Sequence, residues 1–170
     1  MRIIVLLLLA AVSLGARADD WITGDTDDGR TLYAGTVNAD GMALMQACTV
    51  ADGMCRWMIV VDIVCKGGDP TPTPIVLNAR SEALPAQLYC LGVGGAPKPG
   101  EKQFYRHGLS EFTPIDALLR KGGIVGLALP LESGAFRVFR YDLSGAIPKL
   151  DKMRNDALSR QKSSTGGVTL

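Results

Sequence analysis

The segment CTVADGMCRWMIVVDIVC, residues 48–65, holds three of the four cysteines and constrains the fold more than any other feature. Apolar residues alternate from Cys55 to Cys65, which predicts one long strand with a single apolar face. Along such a strand these two cysteines lie roughly 33 Å apart, whereas a disulfide needs Cα atoms within about 7 Å. A bond between Cys55 and Cys65 is therefore excluded unless the strand breaks. The inward face is predicted to contain Cys55, Trp57, Ile59, Val61, Ile63 and Cys65.

A turn in the same segment predicts the disulfide pairing. Asp52-Gly53 is a strong turn signal, and a loop over 50–53 would set Cys48 directly opposite Cys55. The remaining bond then joins Cys65 to Cys90. Spacings of six, nine and twenty-four residues, together with a single histidine, do not match a zinc site. We therefore predict two structural disulfides, and neither a metal site nor a reactive thiol.

The first eighteen residues, MRIIVLLLLAAVSLGARA, have the three parts of a secretory signal peptide. We expect residues 1–18 to be removed, residues 19–160 to form a single β-rich exported domain, and residues 161–170 to be a disordered tail. Without Arg2 and Arg17 the chain carries slightly more acidic than basic residues, so no nucleic-acid partner is expected. No later apolar run is long enough to span a bilayer.

The rest of the sequence predicts further strands and two helices. A short helix is expected from Thr113, its N-cap, with Pro114 at the first helical position and Gly122 ending it. A final helix is expected from about Ile147. Its apolar stripe would contain Leu150, Met153, Ala157 and Leu158, with Arg154, Asp156 and Arg160 facing outward. The remaining predicted strands are Thr31–Val37, Met42–Thr49, Ile75–Asn78, Ala86–Leu91, Gln103–Phe112, Ile124–Leu131 and Ala135–Leu143.

This set of elements predicts a mainly β fold. We expect an antiparallel β-sandwich or open barrel with one short and one C-terminal helix and two disulfides.

The C-terminal sequence IDALLRKGGIVGLALPLESGAFRVFRYDLSGAIPKL resembles the invasion-associated locus B family of exported bacterial proteins. The shared features are a leucine-bearing short helix, a glycine, a hairpin, an L-x-G segment at Leu143–Gly145 and a final helix. The early cysteine hairpin at Cys48 and Cys55 is a further similarity. The resemblance implies a periplasmic or surface-exposed β-sandwich linked to host-cell association, with no known catalytic residues.

Candidate catalytic and metal-binding residues match their motifs poorly. The acidic segment 24–30 departs from the calcium-loop pattern, because Gly29 and Arg30 occupy its fifth and sixth positions. His107 is the only histidine, and no G-x-S-x-G motif accompanies it. A glycosidase pair of Asp27 or Asp28 with Glu111 needs a defined separation that a linear sequence does not show. We therefore predict no catalytic residues and no cofactor.

The segment FRVFRYD suggests a contact surface instead. Arginine and tyrosine are enriched at protein interfaces, which makes Arg106, Arg137, Arg140 and Tyr141 candidate interface residues. The alternative is that the aromatic rings belong to the core and the arginines only cover their edges.

Together these features predict a non-enzymatic interaction protein that is periplasmic or secreted, with another protein as its partner. The alternatives are a small secreted hydrolase with an unrecognised carboxylate or histidine site, and a periplasmic inhibitor or immunity protein using the loop 66–74.

Overall fold

The computed structural model describes residues 21–69, 71–94, 100, 102–131 and 133–165, so the predicted signal peptide lies outside the described residues. Nine strands form one open antiparallel sheet, in the order β1-β2-β3-β4-β7-β6-β5-β8-β9. The strands are β1 (Ile22–Asp25), β2 (Thr31–Val37), β3 (Ala43–Thr49), β4 (Cys55–Val61), β5 (Thr73–Ala79), β6 (Glu82–Val93), β7 (Tyr105–Leu109), β8 (Ile124–Pro130) and β9 (Phe136–Asp142). The helices are α1 (Phe112–Leu119) and α2 (Ala146–Thr165).

The predicted fold class is confirmed, and the sheet takes the open form. It curls so that its first and last strands approach each other: the indole nitrogen of Trp21 donates a hydrogen bond to the backbone oxygen of Asp142 at 3.0 Å. Both helices pack on the inner face of this curve, α1 against β4 and β6, and α2 against β1, β2 and β3. Among the described elements, no helix covers the outer face of the sheet.

Both predicted disulfides are confirmed. Cys48 and Cys55 are direct partners in the β3–β4 ladder, with Cα atoms 4.0 Å apart. Cys65 bonds to Cys90 across 5.8 Å. The predicted long strand, however, ends at Val61 rather than Cys65. Residues 62–65 bend away from the sheet, and this bend brings Cys65 to β6.

Helix α1 differs from its prediction at its first turn. The helix begins at Phe112, and its N-cap is Glu111 in the left-handed conformation (φ 56°) without a side-chain cap. Thr113 is therefore not the cap, and Pro114 is not the first helical residue. The chain has only Ser110 and Glu111 in which to turn from β7 into α1, and the unusual backbone at Glu111 makes that turn. Gly122, with φ 72°, follows the helix as predicted.

Helix α2 differs from its prediction on one face and at its end. Leu150, Met153 and Ala157 are buried, whereas Leu158 is 46% exposed. Arg154 points inward, because it lies four positions after Leu150 and three before Ala157 and so belongs to the buried stripe. The helix continues to Thr165, so the first part of the predicted disordered tail is helical. Residues 166–170 lie outside the described residues.

Candidate binding face

A network of polar side chains under the two helices fastens them to the sheet. One carboxylate oxygen of Asp116 accepts hydrogen bonds from Trp57 Nε1 at 3.0 Å, Gln46 Nε2 at 3.2 Å and Arg154 Nη2 at 2.5 Å. The other oxygen accepts one from Arg120 Nε at 3.1 Å. Arg154 Nε also donates to Gln46 Oε1 at 2.6 Å. Residues from α1, α2, β3 and β4 thus share one carboxylate.

The environment of Asp116 suits a structural anion. Burial opposes ionisation, but the hydrogen bond and charge of Arg154, with smaller contributions from Trp57 and Arg120, outweigh it and lower the pKa of this carboxyl. A carboxylate whose oxygens already accept four hydrogen bonds has little remaining capacity to bind a substrate. We assign Asp116 to holding the helices in place.

His107 is also structural. It is buried on the inner face of β7, and its Nε2 lies 3.1 Å from the backbone oxygen of Ile63. Because that oxygen can only accept, Nε2 carries the proton. Burial lowers the pKa of the imidazole, although the bond to Ile63 opposes the shift. His107 therefore fixes the bend that leads to Cys65.

None of the acidic residues considered for a glycosidase pair lines a groove in the described part of the chain. Asp27, Asp28 and Glu111 are exposed. The carboxylate of Asp28 accepts hydrogen bonds from Thr26 Oγ1 at 2.7 Å and from the backbone nitrogen of Arg30 at 3.0 Å, which makes it part of a turn. Within the described ranges, no cluster of three or more histidine, cysteine or acidic side chains is placed to hold a metal ion.

The predicted interface residues do not form one surface. Tyr141 is only 1% exposed, so it belongs to the core and is not accessible to a partner. Burial and the charge of Asp40 raise the pKa of its phenol.

The three arginines of the set lie at separate places. Arg137 is on the inner face of β9, where its Nη2 lies 2.6 Å from Asp62 Oδ1 and its guanidinium lies over the Phe139 ring. Arg106 and Arg140 both face outward, but strands β6, β5 and β8 separate them.

The outer face of the sheet has an unusual charge distribution. By the register of the strands, charged residues occupy only four of its outward strand positions in the described part of the chain: Arg56, Arg106, Arg140 and Asp142. Asp142 is the last residue of β9, and its carboxylate accepts the backbone N–H of Ser144 at 2.8 Å. The other outward strand positions are apolar or uncharged, so the face is apolar and cationic.

One groove on this face crosses β2, β3, β4 and β7, and we call it the Met45 groove. It has a volume of about 500 Å³ and is lined by Tyr33, Met45, Met58, Leu91, Arg56 and Arg106, among others. Glycines give its side chains room to lie across the sheet. A Cβ at Gly35 would lie 2.7 Å from the Cβ of Met45, and the side chain of Leu91 covers Gly108.

A second groove crosses β5, β8 and β9, and we call it the Arg140 groove. It has a volume of about 610 Å³ and is lined by Asn78, Arg80, Ile124, Gly126, Val138 and Arg140, among others. Ile124 and Val138 are 62% and 43% exposed, and Phe136, on the same face of β9, is 63% exposed. Large apolar side chains gathered at this exposure are typical of contact surfaces.

The arginines of the protein divide between these grooves and the rest of the molecule. Arg30, Arg120, Arg137, Arg154 and Arg160 each have a carboxylate oxygen within 4.0 Å. The other four arginines in the described ranges, Arg56, Arg80, Arg106 and Arg140, have no such partner among the described residues. All four line the two grooves.

Two of these four arginines, Arg56 and Arg80, were not among the candidates taken from the sequence. The alternation along β4 already placed Arg56 with Met58 on the face away from the core, and this pattern could have identified Arg56 as a residue of the outer face. Arg80 gave no such signal, because it occupies the turn between β5 and β6 and lies near Arg140 only through the pairing of β5 with β8 and of β8 with β9.

No protein-family model matches the chain, and no curated protein or solved structure shows significant similarity to it. In the portion of the chain that the structure describes, neither helix combines the length and the apolar character that crossing a membrane requires. Function is therefore inferred from the residues and their geometry alone.

Proposed function

We propose that this is an exported, disulfide-stabilised, non-enzymatic binding protein that contacts another protein through the outer face of its sheet. The observation that carries the proposal is the position of Arg56, Arg80, Arg106 and Arg140, which have no carboxylate within 4.0 Å among the described residues and which all line grooves on that face. An arginine without a carboxylate partner remains free to donate several hydrogen bonds to an anionic group.

The composition of the face supports a protein partner. Tyrosine, methionine and arginine are among the residue types enriched at protein interfaces, and they make up half of the residues that line the Met45 groove. The inner face offers less for binding, because Asp116 and His107 already hold the fold together. The protein is thus better suited to recognition than to catalysis.

The place of action in this proposal is the bacterial periplasm or the outside of the cell. Two disulfides with no free cysteine fit an oxidising compartment, and the sequence of residues 1–18 fits a secretory signal. Membership of the invasion-associated locus B family, and with it a link to host-cell association, stays a prediction from the sequence resemblance.

Site-specific photocrosslinking tests the proposed face. A benzophenone amino acid replaces Met58 in the Met45 groove, Val138 in the Arg140 groove, or Lys149 on the exposed side of α2 as the control. In the cell envelope or secreted fraction, we expect the probes at positions 58 and 138 to crosslink to the same partner, which mass spectrometry identifies. The probe that replaces Lys149 should not crosslink to that partner. Equal crosslinking from all three positions, or from Lys149 alone, would contradict the proposal.

A further inference from the structure

The two arginines of the Met45 groove have a spacing that constrains what can bind between them. Arg56, Met58 and Val60 occupy successive outward positions of β4, and Arg106 in β7 lies directly opposite Val60. Because an extended strand rises about 3.3 Å per residue, the two arginines are separated by roughly 13 Å along the strand direction. Met58 lies midway between them and contributes to the apolar floor.

An extended peptide has the same spacing. Residues i, i+2 and i+4 of a strand point to one side and are separated by about 6.6 Å per step. Resting on the proposed function, we propose that the Met45 groove binds an extended segment of the partner protein with acidic residues four positions apart and an apolar residue midway. The two carboxylates pair with Arg56 and Arg106, and the apolar side chain packs on Met58.

The chemistry of the lining fits this occupant. Guanidinium groups bind carboxylates through paired hydrogen bonds that are stronger than those between neutral groups. Methionine side chains adapt to apolar groups of different shapes, which suits a peptide surface. The groove lies open on the sheet rather than enclosing a cavity, so a small molecule would keep much of its surface in water.

A second copy of this chain does not fit the same description. Among the 17 acidic residues of the full sequence, no two are four positions apart. The chain therefore supplies no segment of the required pattern, and two cationic faces would repel each other. The acidic segment must belong to a different protein.

A fluorescein-labelled probe peptide tests this inference by fluorescence anisotropy. The peptide is acetyl-Ser-Glu-Thr-Leu-Thr-Glu-Ser-amide, and its control places the two glutamates two positions apart with the same composition. We expect the oxidised protein to bind the first peptide at concentrations up to about 1 mM, at least tenfold more tightly than the control. Arg56→Gln combined with Arg106→Gln is expected to weaken peptide binding at least tenfold. The affinity of the variant that combines Lys149→Gln with Lys152→Gln should stay within twofold of the wild-type value.

Three results would overturn the inference. They are absence of binding by the wild-type protein, equal affinity for the two peptides, and equal losses in the groove and helix variants. Vesicles containing phosphatidylglycerol serve as a further arm. If the peptide does not bind, and the vesicles bind the wild-type protein but not the variant that combines Arg56→Gln with Arg106→Gln, the occupant is a lipid surface instead. If the peptide fails but photocrosslinking from Met58 still identifies a protein partner, this inference fails while the proposed function stands.

Discussion

Arg56 and Arg106 line one groove on the outer face of the sheet, and neither guanidinium has a carboxylate within 4.0 Å among the described residues. On the inner face the same residue type behaves differently. Arg154, for example, lies 2.5 Å from Asp116. Arginines that stabilise the fold are thus paired within it, while those of the outer face have no carboxylate partner in the part of the chain that the structure describes.

Apolar residues of the outer face should contribute little to stability. Phe136→Ser is expected to change the free energy of unfolding by less than about 0.5 kcal/mol, because the side chain is 63% exposed. The matched control is Phe139→Ser in the same strand, whose 2% exposure predicts a loss of at least about 3 kcal/mol. Urea unfolding measures both. A loss above about 1 kcal/mol for Phe136→Ser would assign that residue to the fold rather than to binding.

The two disulfides should differ in their contribution to stability. The bond between Cys65 and Cys90 spans 25 positions, whereas that between Cys48 and Cys55 spans 7. On the loop-entropy model they contribute about 3.5 and about 2.4 kcal/mol, so replacing the first pair with alanine should cost more. Chemical unfolding of the two double variants measures the order. The reverse order would show that the bond between Cys48 and Cys55 stabilises more of the structure than the short loop that it closes.

Removing the charge of Asp116 should loosen both helices. Asp116→Asn is expected to lower the free energy of unfolding by about 2 to 3 kcal/mol, because Arg154 loses its ionic partner in a partly buried position. Asp151→Asn is the control, and since Asp151 is exposed, its loss should stay below about 1 kcal/mol. Similar losses for both variants would contradict the role assigned to the network.

The same residue predicts an acid dependence. The pKa of Asp116 is lowered from its ordinary value of 3.8 in the folded protein, so its contribution is complete above that value and is lost as the pH falls through the folded-state pKa. Wild-type protein should therefore lose more stability between pH 5 and pH 2 than Asp116→Asn does. Parallel pH profiles for the two proteins would contradict this assignment.

His107 predicts a separate dependence at milder pH. Burial lowers the pKa of His107 from 6.5, so the unfolded chain takes up a proton first and stability declines as the pH falls below that value. The decline from pH 7.5 to pH 5 should be at most about 2 kcal/mol and should be absent in His107→Gln. NMR titration of this single histidine checks the pKa directly, and a value above 6.5 would contradict the structure.

Eight of the nine strands and the hairpin disulfide could be predicted because their signals are local, whereas the sequence did not predict β1 and the second disulfide followed by elimination. Alternation placed Trp57, Ile59 and Val61 inside, and the turn at Asp52-Gly53 set Cys48 against Cys55. The end of β4 at Val61 could not be predicted in the same way. The apolar pattern continues through Ile63, and the bend depends on contacts with His107 and Arg137, which are distant in sequence.

The charged residues were harder to place. Arg154 and Asp116 are 38 positions apart, and only the packing of both helices on the inner face of the sheet brings them together. Nor did the sequence indicate which arginines have partners, since Arg137 and Arg140 lie three residues apart on opposite faces of one strand. The unpaired arginines became recognisable as a set only once the order of the strands was known.

The most direct test of binding through the outer face is the affinity of the oxidised protein for the partner identified by photocrosslinking. Isothermal titration calorimetry compares the wild type with Arg106→Glu combined with Arg140→Glu, and with Lys149→Glu combined with Lys152→Glu on α2. We expect at least a tenfold loss of affinity for the outer-face variant and a change within twofold for the helix variant, with circular dichroism spectra unchanged in both. Undiminished binding by the outer-face variant would contradict binding through this face.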